Sequence, residues 1–259
     1  MPHVQVAIGL IATHMEMLSI AEEALETWGK GLTERIVATP YLTSFPASIE
    51  DPGVASRLHI HRFRDPAADT PAGELPDFWD GDPRALVYVT FGSVTATVPT
   101  AAPIYGVALE AVAGLPARVL VTTGALADES SLVSPGSHVR ITRWIPQADV
   151  LPHARVVVCH GGSGTTLGAL AAAVPLIVTP LFADQPQNGR RVAAMGAGVV
   201  VEPRDPDAMK SAIDPADLRD AIATVLAEDA YRNAAERIAA EIRELPPADA
   251  VLTVLDAVA

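Results

Sequence analysis

From residue 85 onward, short runs of aliphatic and β-branched residues alternate with alanine-rich segments of helical periodicity. The runs show little polar alternation, which is typical of strands covered on both faces. They are ALVYVTF (85–91), RVLVTT (118–123), HVRIT (138–142), RVVVCH (155–160), PLIVTP (175–180) and GAGVVVE (196–202). Helical patterns lie between them at 101–113, 163–173 and 185–195. Because strand, helix and strand at this spacing form right-handed parallel crossovers, the pattern predicts a doubly wound α/β sheet.

The chain after the last of these runs is expected to be helical. Helices are predicted at 214–228, at 229–244 and after Pro246 and Pro247. Pro215 suits the first turn of the first of these helices, and Asp214 is its expected N-cap.

The first 84 residues have a different pattern. Residues 3–11 are typical of one apolar strand, and residues 14–32 of an amphipathic helix that ends at Gly29 or Gly31. One strand and one helix cannot form a core. Residues 40–84 are rich in proline and acidic residues, as an interdomain linker is. The predicted parts are therefore a remnant of one domain (1–39), a linker (40–84) and a second, whole domain (85–259).

Composition excludes several classes of partner. The net charge is −13, there are only two lysines, and no basic cluster is longer than Arg190 and Arg191, so nucleic acid and anionic membranes are poor partners. Without an apolar window of ~18 residues or a basic signal-peptide start, we expect a cytoplasmic protein with no stable membrane association. The single cysteine, Cys159, lies in an apolar run and is expected to be an inert buried thiol.

Polar segments follow four of the predicted strands. They are FGSV (91–94), RWIPQADVLPH (143–153), HGGSGTT (160–166) and PLFADQPQN (180–188). In open parallel sheets, ligands bind beyond the carboxyl ends of the strands. We therefore expect these four segments to meet at one edge of the sheet and to form the site.

The HGGSGTT segment suggests phosphate binding. Gly161, Gly162 and Gly164 allow a turn that side chains would block, and Ser163 opens the next helix, whose unpaired amides attract anions. No Gly-Lys-Ser/Thr follows, so this is not a P-loop, and Leu167 occupies the third glycine position of the dinucleotide fingerprint. By its own residues, the segment is either a phosphate site or only a tight turn.

The segment from residue 143 to 201, RWIPQADVLPHARVVVCHGGSGTTLGALAAAVPLIVTPLFADQPQNGRRVAAMGAGVVV, resembles the donor-binding signature of family 1 glycosyltransferases. LVYVTFGSV (86–94) resembles the first strand and loop of that family's C-terminal domain. The bacterial antibiotic and macrolide branch is the most similar in character. The resemblance implies a two-domain GT-B fold, in which residues 85–259 are the Rossmann-like donor-binding half and residues 1–39 are the end of the acceptor domain.

The resemblance also implies roles for individual residues. Trp144 would stack on the nucleobase, the Ile145 backbone would read its edge with Gln147 nearby, and Ser93 would help to hold the nucleotide at its diphosphate. The diphosphate would otherwise be bound by His160, Gly162, Ser163, Gly164 and Thr165, and the donor sugar by Asp184 and Gln185. The alternatives are a core aromatic for Trp144, a satisfied buried histidine for His160 and a turn residue for Asp184.

Two further features bear on the ligand. Gly168 stands where many members that use uridine donors have a glutamate that clasps the ribose hydroxyls. Because a buried 2'-hydroxyl needs a partner, we expect a dTDP-deoxysugar donor in preference to a UDP-sugar. The Asp80-Gly81-Asp82 segment imitates a metal-binding Asp-x-Asp motif, but it precedes the first strand and is expected to be solvated. The resemblance implies a metal-independent enzyme without a cofactor.

The expected function is to hold a nucleotide-diphosphate sugar for inverting transfer to a small, natural-product-like acceptor. In the family the base is usually a histidine of the acceptor domain. His14 is superficially similar, but residues 3–52 match better the last strand and helix of that domain. The chain is therefore expected to lack the base and most of the acceptor domain, and to transfer little sugar alone.

An alternative is a noncatalytic nucleotide-sugar-binding subunit that pairs with a separate acceptor-binding chain. The expected protein partner is that chain or a second copy of this one. Exposed apolar surface on residues 1–32 is expected under both hypotheses. A GT-B epimerase relative would need carboxylates facing the sugar C2, which cannot be assigned from the sequence.

Overall fold

The computed structural model of the chain describes residues 3–56, 58–124, 132–205 and 208–258. The chain divides into two compact units. One contains the residues up to Asp69 together with those from Ala240 onward, and the other runs from Thr70 to Ala239. Among the described residues, no helix combines the length and the apolar character needed to cross a membrane.

The first unit contains a three-stranded parallel sheet in the order β1-β2-β3. Its strands are β1 (Gln5–Val6), β2 (Pro40–Thr43) and β3 (His59–Arg62), and its first helices are α1 (Ile11–Trp28), α2 (Leu32–Val37) and α3 (Pro52–Ala55). Strand β1 is shorter than the strand predicted at 3–11. Helix α1 ends as predicted at Gly29, whose amide donates to the Leu25 carbonyl. As expected for residues 1–32, Ile20 and Trp28 are 79% and 86% exposed.

The structure differs from the predicted linker at residues 40–84. Strands β2 and β3 both lie in this range, and Tyr41 and Phe45 are buried there. The rest of the range, from Thr70, belongs to the second unit, in which Trp79 Nε1 donates to the His138 carbonyl at 3.0 Å. Strand β2 begins at Pro40 and β3 has only one apolar residue, Ile60, so neither gave a continuous apolar signal that could be separated from a linker. The interpretation of the units as acceptor remnant and donor domain stays a prediction.

The second unit contains a six-stranded, all-parallel sheet in the order β6-β5-β4-β7-β8-β9. The strands are β4 (Leu86–Thr90), β5 (Arg118–Thr122), β6 (Val139–Thr142), β7 (Ala154–Cys159), β8 (Leu176–Val178) and β9 (Gly198–Val200). Every predicted strand of the second domain is present, and β4 is buried along its whole length, as its continuous hydrophobicity indicated. The prediction of a doubly wound parallel sheet is confirmed.

Helices lie between the strands and after the last strand, as the sequence predicted. They are α4 (Ile104–Val112), α5 (Gln147–Val150), α6 (Ser163–Ala171), α7 (Gln185–Ala194), α8 (Pro215–Ala227) and α9 (Asp229–Glu244), followed by α10 (Leu252–Val258). Asp214 caps α8 as expected, since its carboxylate accepts from the Ala216 amide at 2.9 Å and Pro215 occupies the first turn. Cys159 is buried, and burial raises the pKa of its thiol to about 12, as expected of an inert cysteine.

The strand order determines where a ligand can bind. Strand β4 pairs with β5 on one side and with β7 on the other, so the chain leaves β4 and β7 in opposite directions along the sheet. Thr90 and Cys159, the last residues of the two strands, are register partners. The loops that follow therefore diverge from neighbouring points, which opens a crevice at the carboxyl edge of the sheet.

Candidate functional site

A cleft of about 420 Å³ lies at this carboxyl edge, within the second unit. Most of its lining comes from the segments that follow β4, β6, β7 and β8, which are the four polar segments selected from the sequence, and the rest comes mainly from β4 and the end of β5. All the predicted site residues line it: Ser93, Trp144, Ile145, Gln147, His160, Gly162, Ser163, Gly164, Thr165, Asp184 and Gln185. The structure thus brings the predicted residues together, and their individual roles stay predictions.

The turn between β7 and α6 requires glycine at two successive positions. Gly161 has φ +85°, and a Cβ there would lie 2.6 Å from Val178 Cγ1. A Cβ on Gly162 would lie 2.5 Å from His160 Nε2. Gly162 is also the N-cap of α6 and provides no side-chain cap for the helix. The first turn of α6 therefore faces the cleft with backbone amides and hydroxyl groups, an arrangement suited to an anion.

His160 is held in its neutral form. Burial lowers the pKa of this imidazole to about 4, against the opposing effect of the Asp184 carboxylate. The Nδ1 atom is buried and has no hydrogen-bond partner among the described residues, so the alternative of a satisfied buried histidine is wrong. A neutral imidazole carries one N–H donor and one acceptor, and His160 lines the cleft.

The state of His160 can be tested by titration. In histidine NMR spectra, the resonance lost in a His160→Gln variant is expected to titrate with a pKa of about 4. The pKa in the folded state lies below the unfolded value of about 6.5. The contribution of this histidine to the free energy of unfolding is therefore fully present above pH ~6.5. That contribution decreases as the pH falls from 6.5 towards 4. A resonance that titrates above pH 6 would contradict the buried, neutral assignment.

Asp184 joins the segment before α7 to the start of α6. Its Oδ2 accepts from Ser163 Oγ at 2.7 Å and from Asn188 Nδ2 at 2.8 Å. The same Asn188 amide donates to the Gly161 carbonyl at 2.8 Å. Asp184 makes no side-chain cap to its own helix, so the alternative of a simple turn residue does not describe it. Asn188 is 1% exposed, and the sequence reasoning missed it.

Gln185 is more constrained than the sequence suggested. Its Oε1 accepts from the amides of Leu181 and Phe182 at 2.8 and 3.0 Å, which stabilises the loop after β8. The neighbouring Ala183 has φ 55°, a left-handed conformation that this loop imposes on a non-glycine residue. Because the side-chain oxygen Oε1 already accepts two hydrogen bonds within the loop, only the side-chain nitrogen Nε2 of Gln185 can bond to a ligand.

The other half of the cleft contains the predicted nucleotide residues. Trp144 is 62% exposed, so the alternative of a core aromatic is wrong. Gln147 Nε2 donates to Thr165 Oγ1 at 2.9 Å, which links this half to the phosphate turn. A Cβ on Gly168 would lie 3.7 Å from Gln147 Oε1. The Gln147 amide thus lies beside the space that a longer side chain at Gly168 would enter.

The floor of the cleft holds two polar groups that the sequence reasoning did not select. The Tyr88 hydroxyl lies 3.0 Å from Thr122 Oγ1, and burial raises the pKa of Tyr88. Both side chains stand in strands that are otherwise almost entirely apolar. A tyrosine and a threonine near the carboxyl ends of adjacent strands were the signal that could have identified them.

The Asp-x-Asp segment lies outside the cleft lining. A hydrogen bond from Arg84 lowers the pKa of Asp82 to about 2, and the two side chains form an ion pair at 2.5 Å. Among the described residues, no group of three or more histidine, cysteine or acidic side chains is arranged to hold a metal ion.

In the first unit, His14 Nε2 lies 2.6 Å from Gln5 Oε1.

Comparison with known proteins shows which proteins this chain is similar to. The family described as "Erythromycin biosynthesis protein CIII-like, C-terminal domain" matches residues 107–258, more than half of the chain. Elloramycin glycosyltransferase ElmGT of Streptomyces olivaceus is 41% identical over 168 residues, which are 64% of this chain and 40% of that protein. The 4'-demethylrebeccamycin synthase of Lentzea aerocolonigenes is 32% identical over 233 residues, which are 88% of this chain and 51% of that protein.

A solved structure agrees with these relatives. Spinosyn rhamnosyltransferase SpnG, complexed with thymidine diphosphate, superimposes with a TM-score of 0.68 at 25% identity. The match covers 83% of this chain and 56% of that chain. The present chain thus spans about 40% to 51% of the length of the two curated relatives named above.

Proposed function

The chain belongs to the family of erythromycin biosynthesis protein CIII-like C-terminal domains, that is, to the GT-B glycosyltransferases of natural-product biosynthesis, and we propose that its cleft binds the nucleoside diphosphate of a sugar donor. One observation carries the proposal. Gly162 of the phosphate turn, the exposed Trp144 ring and the Asp184 carboxylate all line one cleft at the switch point of the sheet. An aromatic face, an anion-binding helix start and a hydrogen-bond acceptor match the base, diphosphate and sugar of such a donor.

The diphosphate is assigned to the start of α6. The Ser163 and Thr165 hydroxyls and the N-terminal amides of this nine-residue helix are donors, and the helix dipole adds about half a positive charge. His160 is neutral near pH 7 and adds one N–H donor without its own charge. Together these groups would stabilise the negative charge that develops on the diphosphate as the sugar leaves. We therefore propose that no metal ion and no cofactor are needed for this step.

Inverting transfer also needs a base for the acceptor hydroxyl. The titratable side chains that line the cleft are Tyr88, His160 and Asp184. His160 is assigned to the diphosphate, Asp184 to the sugar, and Tyr88 is buried in the floor with a raised pKa. We propose that the base belongs to an acceptor-binding part outside this cleft, and that the acceptor is a small, natural-product-like molecule.

The nucleoside is proposed to be a deoxythymidine, so that the donor is a dTDP-deoxysugar. Gly168 offers no side chain to a ribose hydroxyl, and the Nε2 donor of the neighbouring Gln147 is already bonded to Thr165. A uridine donor would bring a 2'-hydroxyl that loses its water partner in the cleft. The thymidine diphosphate complex of the SpnG structure supports the same choice of nucleotide.

Calorimetric titration of the whole chain with dTDP and UDP tests both parts of the proposal. We expect dTDP to bind, and UDP to bind about 5-fold or more weakly, since an unpaired buried hydroxyl costs about 1–3 kcal/mol. The same titration with ADP is the control for general anion binding. If none of the three ligands at millimolar concentration gives binding heat or a thermal shift, the proposed donor site is contradicted. Equal affinity for dTDP and UDP would contradict only the interpretation of Gly168.

A further inference from the structure

Asn188 connects the phosphate turn to the sugar side of the cleft. Its side-chain amide has two hydrogens, and its two nearest acceptors are the Gly161 carbonyl and Asp184 Oδ2, both at 2.8 Å, whereas Ser163 Oγ lies at 3.4 Å. Both acceptors lack hydrogens, so an amide turned the other way would place its oxygen against two oxygens. The orientation of Asn188 is therefore determined by its surroundings, and the side chain is 1% exposed.

Ser163 is the second donor to the same carboxylate oxygen. Its hydroxyl has one hydrogen, which it gives to Asp184 Oδ2 at 2.7 Å. A diphosphate at the start of α6 would need this hydrogen, because a phosphate oxygen accepts and cannot donate at neutral pH. Ser163 can therefore serve Asp184 or the diphosphate, but not both at once.

We infer that Asn188 is a positioning residue that holds Asp184 in place when a bound diphosphate takes the Ser163 hydrogen. The inference rests on the proposed function, since it assigns the diphosphate to α6 and the sugar to Asp184. With Oδ2 held by Asn188, the other carboxylate oxygen of Asp184 faces the sugar hydroxyls. Since the same Asn188 amide also holds the Gly161 carbonyl, the distance between the phosphate turn and the Asp184 carboxylate stays constant.

The test compares two ligands and reports a ratio. The chain and its variants are titrated with dTDP and with dTDP-glucose, and the Kd for dTDP-glucose is divided by the Kd for dTDP. Asn188→Ala is expected to raise this ratio about 10-fold. The lost hydrogen bond to the charged Asp184 affects only the sugar, whereas the lost bond to the Gly161 carbonyl affects both ligands and cancels in the ratio. Ser163→Ala is expected to weaken both ligands in parallel and to leave the ratio within about 2-fold of the unchanged chain.

Two further variants keep the test informative. Asn188→Leu has a similar volume and removes both donors, so it replaces the alanine variant if the smaller side chain prevents folding. Asn233→Ala is the matched control, since Asn233 is exposed on α9 and is the only other asparagine of the chain. Thermal melts of all variants separate a general loss of stability from a change in the ratio.

The outcomes are distinguishable. A raised ratio in the Asn188 variants together with an unchanged ratio in Ser163→Ala supports the inference. An unchanged ratio in folded Asn188 variants overturns it, and so does a ratio that rises as much in Ser163→Ala. If the unchanged chain binds neither ligand, the proposed function itself fails and the inference falls with it.

Discussion

Replacing Gly161 with alanine is expected to lower the free energy of unfolding of the second unit by about 2–5 kcal/mol, and to abolish nucleotide binding. The residue has φ +85°, which costs an alanine about 1–2 kcal/mol. The added Cβ would also lie 2.6 Å from Val178 Cγ1 and 3.1 Å from the Gln185 carbonyl. Val178 belongs to β8, which is paired with a strand on each side, so the turn rather than the strand must move.

The matched control is Gly164→Ala in the same segment. A Cβ on Gly164 would have no heavy atom within 4 Å among the described neighbours, and the residue lies in the first turn of α6. Alanine there is expected to leave the melting temperature unchanged or to raise it slightly. Thermal denaturation followed by circular dichroism measures both variants. If the two substitutions cost the same stability, the turn does not depend on the backbone conformation of Gly161.

The sheet of the second unit could be predicted because its strands are buried on both faces. Such strands have a continuous apolar signal, and all six were placed from it within a few residues. The site followed from topology, because polar segments after parallel strands must meet at one edge. Strands β2 and β3 gave no such signal, since β2 begins at a proline and β3 contains only one apolar residue, Ile60.

The details of hydrogen bonding could not be predicted in the same way. Asn188 lies one helical turn after Asp184, a spacing that does indicate a shared helix face. Its bond to the Gly161 carbonyl, however, depends on how α7 packs against the turn after β7. The use of the Gln185 oxygen inside its own loop likewise depends on the left-handed Ala183. Contacts of this kind are determined by tertiary packing, which the pattern of residues along the chain does not predict.

Removal of the Trp144 ring is expected to weaken dTDP and UDP by similar factors. The side chain is 62% exposed at the cleft, so a base can cover its face without displacing packed neighbours. Stacking of a base on an aromatic ring contributes about 1–3 kcal/mol, so Trp144→Ala should raise both dissociation constants about 5- to 150-fold. Because the ring contacts a feature common to both bases, the ratio between the two nucleotides should change little.

Trp28→Ala and Trp144→Phe separate stacking from other effects of losing an aromatic ring. Trp28 is 86% exposed in the first unit and does not line the cleft, so its replacement should leave both dissociation constants unchanged. Phenylalanine keeps a π-face and should recover part of the affinity, whereas the melting temperature should be similar in all three variants. Isothermal titration of each variant with dTDP and UDP measures these effects. If Trp144→Ala binds as tightly as the unchanged chain, the base lies elsewhere, and only the diphosphate assignment at α6 would remain.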